Sequence, residues 1–232
     1  MRISFRRLIA SEKRRIQNSF LIFLLFFSFA PMGFARSGTI EQVGYLSSLE
    51  NAIVYEINMA RTNPKGYASL LGKWKRYYDG KLLKIPGETI LMTQEGVTAV
   101  NEAIGSMRST NPASRLTPSK GMSSGARDHV TDQGSSGLSQ HKGSDGSQPW
   151  DRVNRYGTWE KSIGENIAYG SDKARNIVMH LIIDDGVSSR GHRKNIFNPD
   201  FRVIGVAYGP HPTYRTVCVM TLAGGYKEKS VK

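Results

Sequence analysis

Phe201-Arg-Val-Ile-Gly-Val-Ala-Tyr208 and Tyr214-Arg-Thr-Val-Cys-Val-Met-Thr-Leu222 are dense in β-branched and aromatic residues, and Gly209-Pro-His-Pro212 separates them. Gly and Pro in that link are turn chemistry, so the two runs are predicted to pair as a hairpin. A further strand is expected through Ile163–Tyr169. Upstream of these strands the pattern is helical. Ser47-Ser-Leu-Glu50 has capping-box spacing, and Leu46, Leu49, Ile53, Ile57 and Ala60 then share one face until Asn63-Pro64 stops or kinks the helix. Val97, Val100, Ile104 and Met107 mark a second helix. Thr117-Pro118 is expected to open a third, with Met122, Ala126, His129 and Val130 inward. Ser171 is expected to cap a fourth, with Ala174, Ile177, Val178 and Leu181 inward. Helices first and most strands late predict an α+β fold rather than an alternating parallel sheet.

The 232 residues fit one or two domains, and about 45% are apolar once Gly is counted and Tyr left out. That composition excludes a wholly disordered chain, and the Gly residues show no collagen-like period. One Cys excludes an intramolecular disulfide framework and any Cys-based zinc cluster. Buried in an apolar strand, Cys218 is expected to be an inert thiol.

The formal charge of +13 divides unevenly. Residues 1–35 carry Arg2, Arg6, Arg7, Lys13, Arg14 and Arg15 against Glu12, then run into the apolar stretch Phe20–Ala30. That stretch is short for a membrane span, and Gly33-Phe34-Ala35 offers small residues where a signal peptidase reads. The expectation is a signal peptide over 1–35, cleaved after Ala35, giving a secreted or periplasmic protein with no stable transmembrane span; a retained amino-terminal anchor is the alternative. A short linker over 36–45 would follow, then one domain over 46–222 and a basic tail over 223–232. Beyond residue 35 the positive side chains are scattered, as in Lys73-Trp-Lys-Arg76 and Lys81–Lys84, with no basic run interleaved with aromatics, so nucleic acid is not an expected partner. Attraction to an anionic envelope or extracellular polysaccharide is the weaker reading of the same charge.

Residues 121–146 hold six Gly and six Ser, and a permissive polar loop inside one domain is more often a site than a linker. Three segments are too polar for a core: His141-Lys-Gly-Ser-Asp-Gly-Ser147, Gly164-Glu-Asn-Ile-Ala168 and Asp184-Asp-Gly-Val-Ser-Ser-Arg-Gly-His-Arg-Lys-Asn195. Imidazole nitrogens and carboxylate oxygens are ligands for a divalent metal of the zinc type. No local H-E-x-x-H is present, so only the fold could gather them. Taken singly, Glu165 can equally bind loop amides, and His141 and His192 can be ordinary exposed imidazoles. His129, spaced with Ala126 and Val130, reads as a packing residue, and His211 in its Pro-flanked turn reads as solvent-facing. Ser144 and Ser147 lie near His141, but not on a strand-turn-helix elbow, so no Ser triad is invoked.

Taken in order with Ile57-Asn-Met-Ala-Arg61, Asn63-Pro64, Ala126-Arg-Asp-His129 and Ile204-Gly-Val-Ala-Tyr208, these segments resemble the CAP superfamily of cysteine-rich secretory, antigen 5 and pathogenesis-related proteins, in its bacterial, disulfide-free branch. The resemblance implies an α-β-α sandwich with a central cleft holding two His and two acids, which in some members binds a divalent metal. It maps the His to His141 and His192 and the first acid to Glu165. The second acid falls on Asp184, where the family carries Glu a few residues past a Trp that is absent here. His180, four residues before Asp184, is an alternative for that place. Metal ligation, if present, is implied for His141, His192 and Glu165.

Three functions follow from that resemblance. The first is an extracellular binding and interaction module for a carbohydrate, peptide or lipid. The second is a metal-dependent, peptidase-like hydrolase of envelope or extracellular material. The third is a lipid or sterol carrier, for which the sequence shows no surplus apolar helix.

Overall fold

A computed structural model describes residues 42–230. The expected signal peptide and most of the expected linker lie outside the described residues. The chain opens with α1 (Ser48–Thr62) and α2 (Pro64–Trp74), followed by a 3-10 turn over Lys75–Tyr77. A small antiparallel sheet comes next, formed by β1 (Tyr78–Asp79), β2 (Leu82–Leu83) and β3 (Leu91–Met92). Then come α3 (Val97–Ser109), β4 (Thr117–Pro118), α4 (Lys120–Ser136), α5 (Pro149–Asn154) and β5 (Gly157–Tyr169). The chain closes with α6 (Ala174–Ile183), α7 (Gly191–Phe197), β6 (Val203–His211) and β7 (Arg215–Glu228).

The main sheet has the order β4-β6-β7-β5, antiparallel except for the short parallel pairing of β4 with β6. Alternation along its strands divides the core. Ile204, Val206, Cys218, Met220 and Leu222 face a layer containing α1, α2, α3 and α6. Val217, Val219 and Ala207 face α4 through Ala126 and Val130. Helices therefore cover both faces, and the architecture is the expected α-β-α sandwich of the α+β class.

The first helix forms as its sequence requires. Ser47 Oγ accepts the Glu50 N–H at 3.2 Å, and Glu50 Oε2 accepts the Ser47 N–H at 2.7 Å. Such a box contributes about 1 kcal/mol. Asn63 closes α1 and, through Oδ1, caps the Gly66 N–H of α2, with Pro64 at the first helical position. That second helix, and the small sheet after it, are absent from the sequence reading.

Several local expectations are corrected. Thr117-Pro118 does not begin a helix. The Thr117 and Ser119 N–H groups donate to Arg202 O and Ile204 O, while Pro118, with no N–H to offer, sits at the sheet edge. The cap is Ser119, whose Oγ accepts the Met122 N–H at 3.1 Å. Ser171 likewise precedes its helix, accepting the Lys173 N–H, while Lys173 holds the cap position. The Gly/Ser-rich segment is largely α4 rather than loop, and it ends on Gly137 at φ 71°. His211 is buried, not solvent-facing. Its Nδ1 accepts the N–H groups of Thr213 and Tyr214, closing the hairpin, and its ring packs against Tyr169. The strand expected to end at Leu222 continues as β7 to Glu228, pairing with Gly157–Glu160.

Small residues let α4 lie close on the sheet. A Cβ on Gly205 would come 2.2 Å from the backbone carbon of Met122. Gly205→Ala should therefore cost about 1–3 kcal/mol by overpacking, read as a lower urea midpoint with an unchanged slope. An unchanged midpoint would mean that α4 can shift freely.

Candidate functional site

Two imidazole–carboxylate pairs stand on neighbouring parts of the sandwich. In the first, His141 Nδ1 lies 2.9 Å from Glu165 Oε1 on β5. The other carboxylate oxygen accepts from Arg152 Nη2 at 2.7 Å. Arg152 is buried on the short helix α5, where Pro149 takes the first position and Asp151 Oδ2 accepts the Gln148 N–H at 2.9 Å. Its guanidinium also donates to His141 O at 3.1 Å and Ser147 O at 2.9 Å, tying the loop to the helix. Arg152 was not legible as a site residue, because nothing in its sequence surroundings distinguishes a buried arginine from a surface one.

In the second pair, His192 Nδ1 lies 2.7 Å from Asp184 Oδ1, and Asp184 Oδ2 accepts the His192 N–H at 2.9 Å. Asp184 ends α6 in the left-handed region at φ 57°, which turns its buried side chain back toward α7. The pairs meet along β5. Asn166, beside Glu165, donates to His192 O at 3.0 Å, and its own Oδ1 accepts from Asn195 at 2.9 Å.

The residues of the two pairs line two depressions. His141 and Glu165 line one of about 240 Å³ together with Gln148, Pro149 and the exposed Trp150. His192, Asp184 and His180 line a larger cleft of about 560 Å³, whose walls include Tyr78, Tyr169 and Tyr214. His180 is hydrogen-bonded to neither pair and lies edge-on to Trp74 with ring centroids 5.2 Å apart. Burial lowers its pKa to about 4, against the smaller opposing pull of the Glu88 and Asp185 carboxylates. His129 is fully buried, its Nε2 2.8 Å from Gln140 O, and burial lowers its pKa too. It packs the domain, as its spacing suggested.

The chemistry of the arrangement follows from which atoms are occupied. In a neutral ring, Nδ1–H donates to the carboxylate and leaves the Nε2 lone pair outward, fixing both tautomer and orientation. Among the described residues no hydrogen bond reaches Nε2 of His141 or His192. Both carboxylates are committed to basic or amide partners, and among the described residues no three of His, Cys, Asp and Glu are grouped as metal ligands. Each ring thus presents one Nε2 of the donor type a divalent cation accepts, with Glu165 behind His141 and Asp184 behind His192.

The layers and the two His–carboxylate pairs define a class of sandwich domain in which one sheet edge and its loops present oriented imidazoles. The chain belongs to the cysteine-rich secretory protein family, CAP, whose model matches residues 99–222. With one buried free cysteine, Cys218, it fits the disulfide-free branch. It is 34% identical over 87 residues to the uncharacterized protein YkwD of Bacillus subtilis strain 168, covering 38% of this chain and 32% of that one. The chain thus spans about a third of that relative's length. An outer surface protein of Borrelia burgdorferi overlays at TM-score 0.41 and 18% identity, covering 50% of this chain and 80% of that one. An extracellular SCP-domain protein of Bacillus anthracis str. Ames overlays at 0.38 and 21%, covering 55% and 37%.

Two outcomes are expected. Asp184→Ala removes the acceptor for a ring N–H and a backbone N–H, so it should cost about 2–4 kcal/mol in chemical denaturation. His180, whose pKa falls on folding from 6.5 to about 4, binds fewer protons folded than unfolded between those values. Its contribution is whole above about pH 6.5 and lost as pH falls toward 4. The ring still borders the cleft, which limits the loss to about 1–2 kcal/mol. Melting curves should show the wild type losing more stability from pH 7 to pH 5 than His180→Phe; equal losses would refute the assignment.

Proposed function

We propose that this chain is an exported CAP-domain binding module, with an extracellular or envelope ligand received at the cleft beside the His192–Asp184 pair. The observation that carries this reading is the pair geometry: each ring is held at Nδ1 by a buried carboxylate, and Nε2 is left as an outward acceptor. Holding rings this way lowers the ordering cost of binding. The cleft joins three tyrosines to polar groups, a lining suited to a carbohydrate or peptide rather than to a wholly apolar lipid or sterol. Among the described residues no helix is long and apolar enough to cross a membrane. The basic, then apolar start of the sequence supports export through a signal peptide.

A divalent ion of the zinc type would be held by Nε2 of His141 and His192. Glu165 and Asp184 would supply negative charge behind the rings, and the ion could present an oxygen ligand to the cleft. The same residues favour a second reading as a metal-dependent hydrolase, in which the ion would polarise a water and Glu165 or Asp184 would act as base. Against it, both candidate bases are already engaged, Glu165 by His141 and Arg152 and Asp184 by the ring and the N–H of His192.

Calorimetric titration with zinc should give one stoichiometric site in the wild type and a loss of at least about tenfold in affinity in both His141→Ala and His192→Ala. Identical weak binding in all three would leave the pairs a structural role. Screening the wild type against glycan and peptide arrays should find retention without turnover, and released product would replace the binding module with the hydrolase.

A further inference from the structure

On the face of α6 adjoining the cleft lies a groove of about 340 Å³ that the proposed function does not use. Four cations from separate elements border it: Lys73 at the end of α2, Arg76 in the following 3-10 turn, Lys173 at the cap of α6 and Arg175 in its first turn. Among the described residues no Asp or Glu lines it. Lys173 and Arg175 are exposed and each has one carboxylate partner, Glu88 at 3.0 Å and Glu56 at 2.9 Å. Lys73 and Arg76 are exposed too, and among the described residues no carboxylate pairs with either; Arg76 instead lies over the Tyr77 ring at 5.3 Å. Tyr77, Pro86 and Met179 give the groove an apolar floor. Cations at the first turn of α6 oppose the helix dipole, so local helix stability does not account for their placement.

We propose that this groove binds an anionic polysaccharide. Four converging cations, of which Lys73 and Arg76 have no carboxylate partner among the described residues, recognise repeated negative groups, and a half-shielded ring beside aliphatic side chains fits the face of a sugar. The recess also decides between a polymer and a membrane. A bilayer presents a broad flat surface, whereas these four charges surround a concavity that a single chain can enter. Lys73-Trp-Lys-Arg76, which reads in sequence as scattered surface charge, thereby acquires a local purpose: Trp74 is buried as the anchor while Lys73 and Arg76 are presented on either side.

The test uses the purified chain, a polygalacturonate oligosaccharide as probe, a dextran oligomer of similar length as the neutral control, and phosphatidylglycerol vesicles. Polygalacturonate should bind and dextran should not, and affinity should fall as sodium chloride rises from about 50 to 300 mM. Lys73→Ala with Arg76→Ala should weaken binding about tenfold. Arg108→Ala with Lys120→Ala removes the same net charge from exposed positions elsewhere and should change it less than about twofold. Circular dichroism confirms that both double variants fold. Absence of polygalacturonate binding overturns the proposal, as does equal loss in the two double variants, which would make the effect one of net charge. Vesicle binding that depends on Lys73 and Arg76 while polygalacturonate binding does not would assign the surface to membrane instead.

Discussion

The turn at Asp184-Asp185 is the constraint on which the site depends. At φ 57°, Asp184 breaks α6 and sends the chain away from the helix axis. Its carboxylate then reaches the start of α7, while Asp185 accepts the N–H groups of Gln94, Glu95 and Gly96 and so caps α3 from another part of the chain. Arginines secure the far side. Arg193 donates to the last carbonyls of α6, Ile182 O and Ile183 O, and pairs with Glu102 of α3 at 2.6 Å. Arg190 spans Glu95, Glu102 and Asp184 O, and its hydrogen bonds hold the Glu95 carboxyl down at about 2. Three helix ends share one corner, so His192 inherits its position from all of them. An equivalent service is done at the other end of α7 by Arg61, fully buried, whose guanidinium donates to Ser114 O, Ile196 O, Asn198 O and Phe201 O. Burial, with a smaller push from the Arg202 guanidinium, lowers its pKa to about 10.

Charge burial of this kind is costly unless every oxygen and proton is used. Glu165 meets that condition through His141 and Arg152, and Asp184 through His192 and two backbone N–H groups. The expenditure gives no obvious gain in packing, since apolar side chains of similar volume would fill the same space more cheaply. What it does give is fixed ring orientation at two imidazoles.

The sandwich was legible because its signals are local. Alternating β-branched runs, a capping box and helical spacing each declare themselves within a dozen residues, and the ordered segments around His141, Glu165 and His192 carry the family resemblance. What escaped reading depends on contacts distant in sequence. Thr117-Pro118 has the local chemistry of a helix start, yet the sheet claimed it through Arg202 and Ile204, more than eighty residues on. His211 looked exposed because Pro flanks it, but the turn needed an acceptor for two N–H groups. Arg152 and Asp185 act across the fold, and no spacing rule reveals a side chain whose partners lie on other elements. His180 and Asp184 have the i, i+4 spacing of one helical face, but that rule fails where the helix ends. The left-handed turn swings Asp184 toward His192, while His180 remains against Trp74.

That separation has a further consequence for how α6 divides its surroundings. The cleft on one side is lined by Asp184, Asp185, His180 and His192, with no Lys or Arg among the described residues. The groove on the adjoining face is lined by Lys73, Arg76, Lys173 and Arg175, the last two paired with Glu88 and Glu56. Trp74 borders the groove and packs edge-on against His180 of the cleft. Burial keeps His180 neutral at ordinary pH, so it adds no positive charge to the cleft. The anion proposed for the groove would thus be favoured on one face of α6 and not on the other. Sorting of this sort requires the two linings to be held a fixed distance apart, which is what a rigid helix, clamped at its C-terminal end by Asp184 and the arginines, provides.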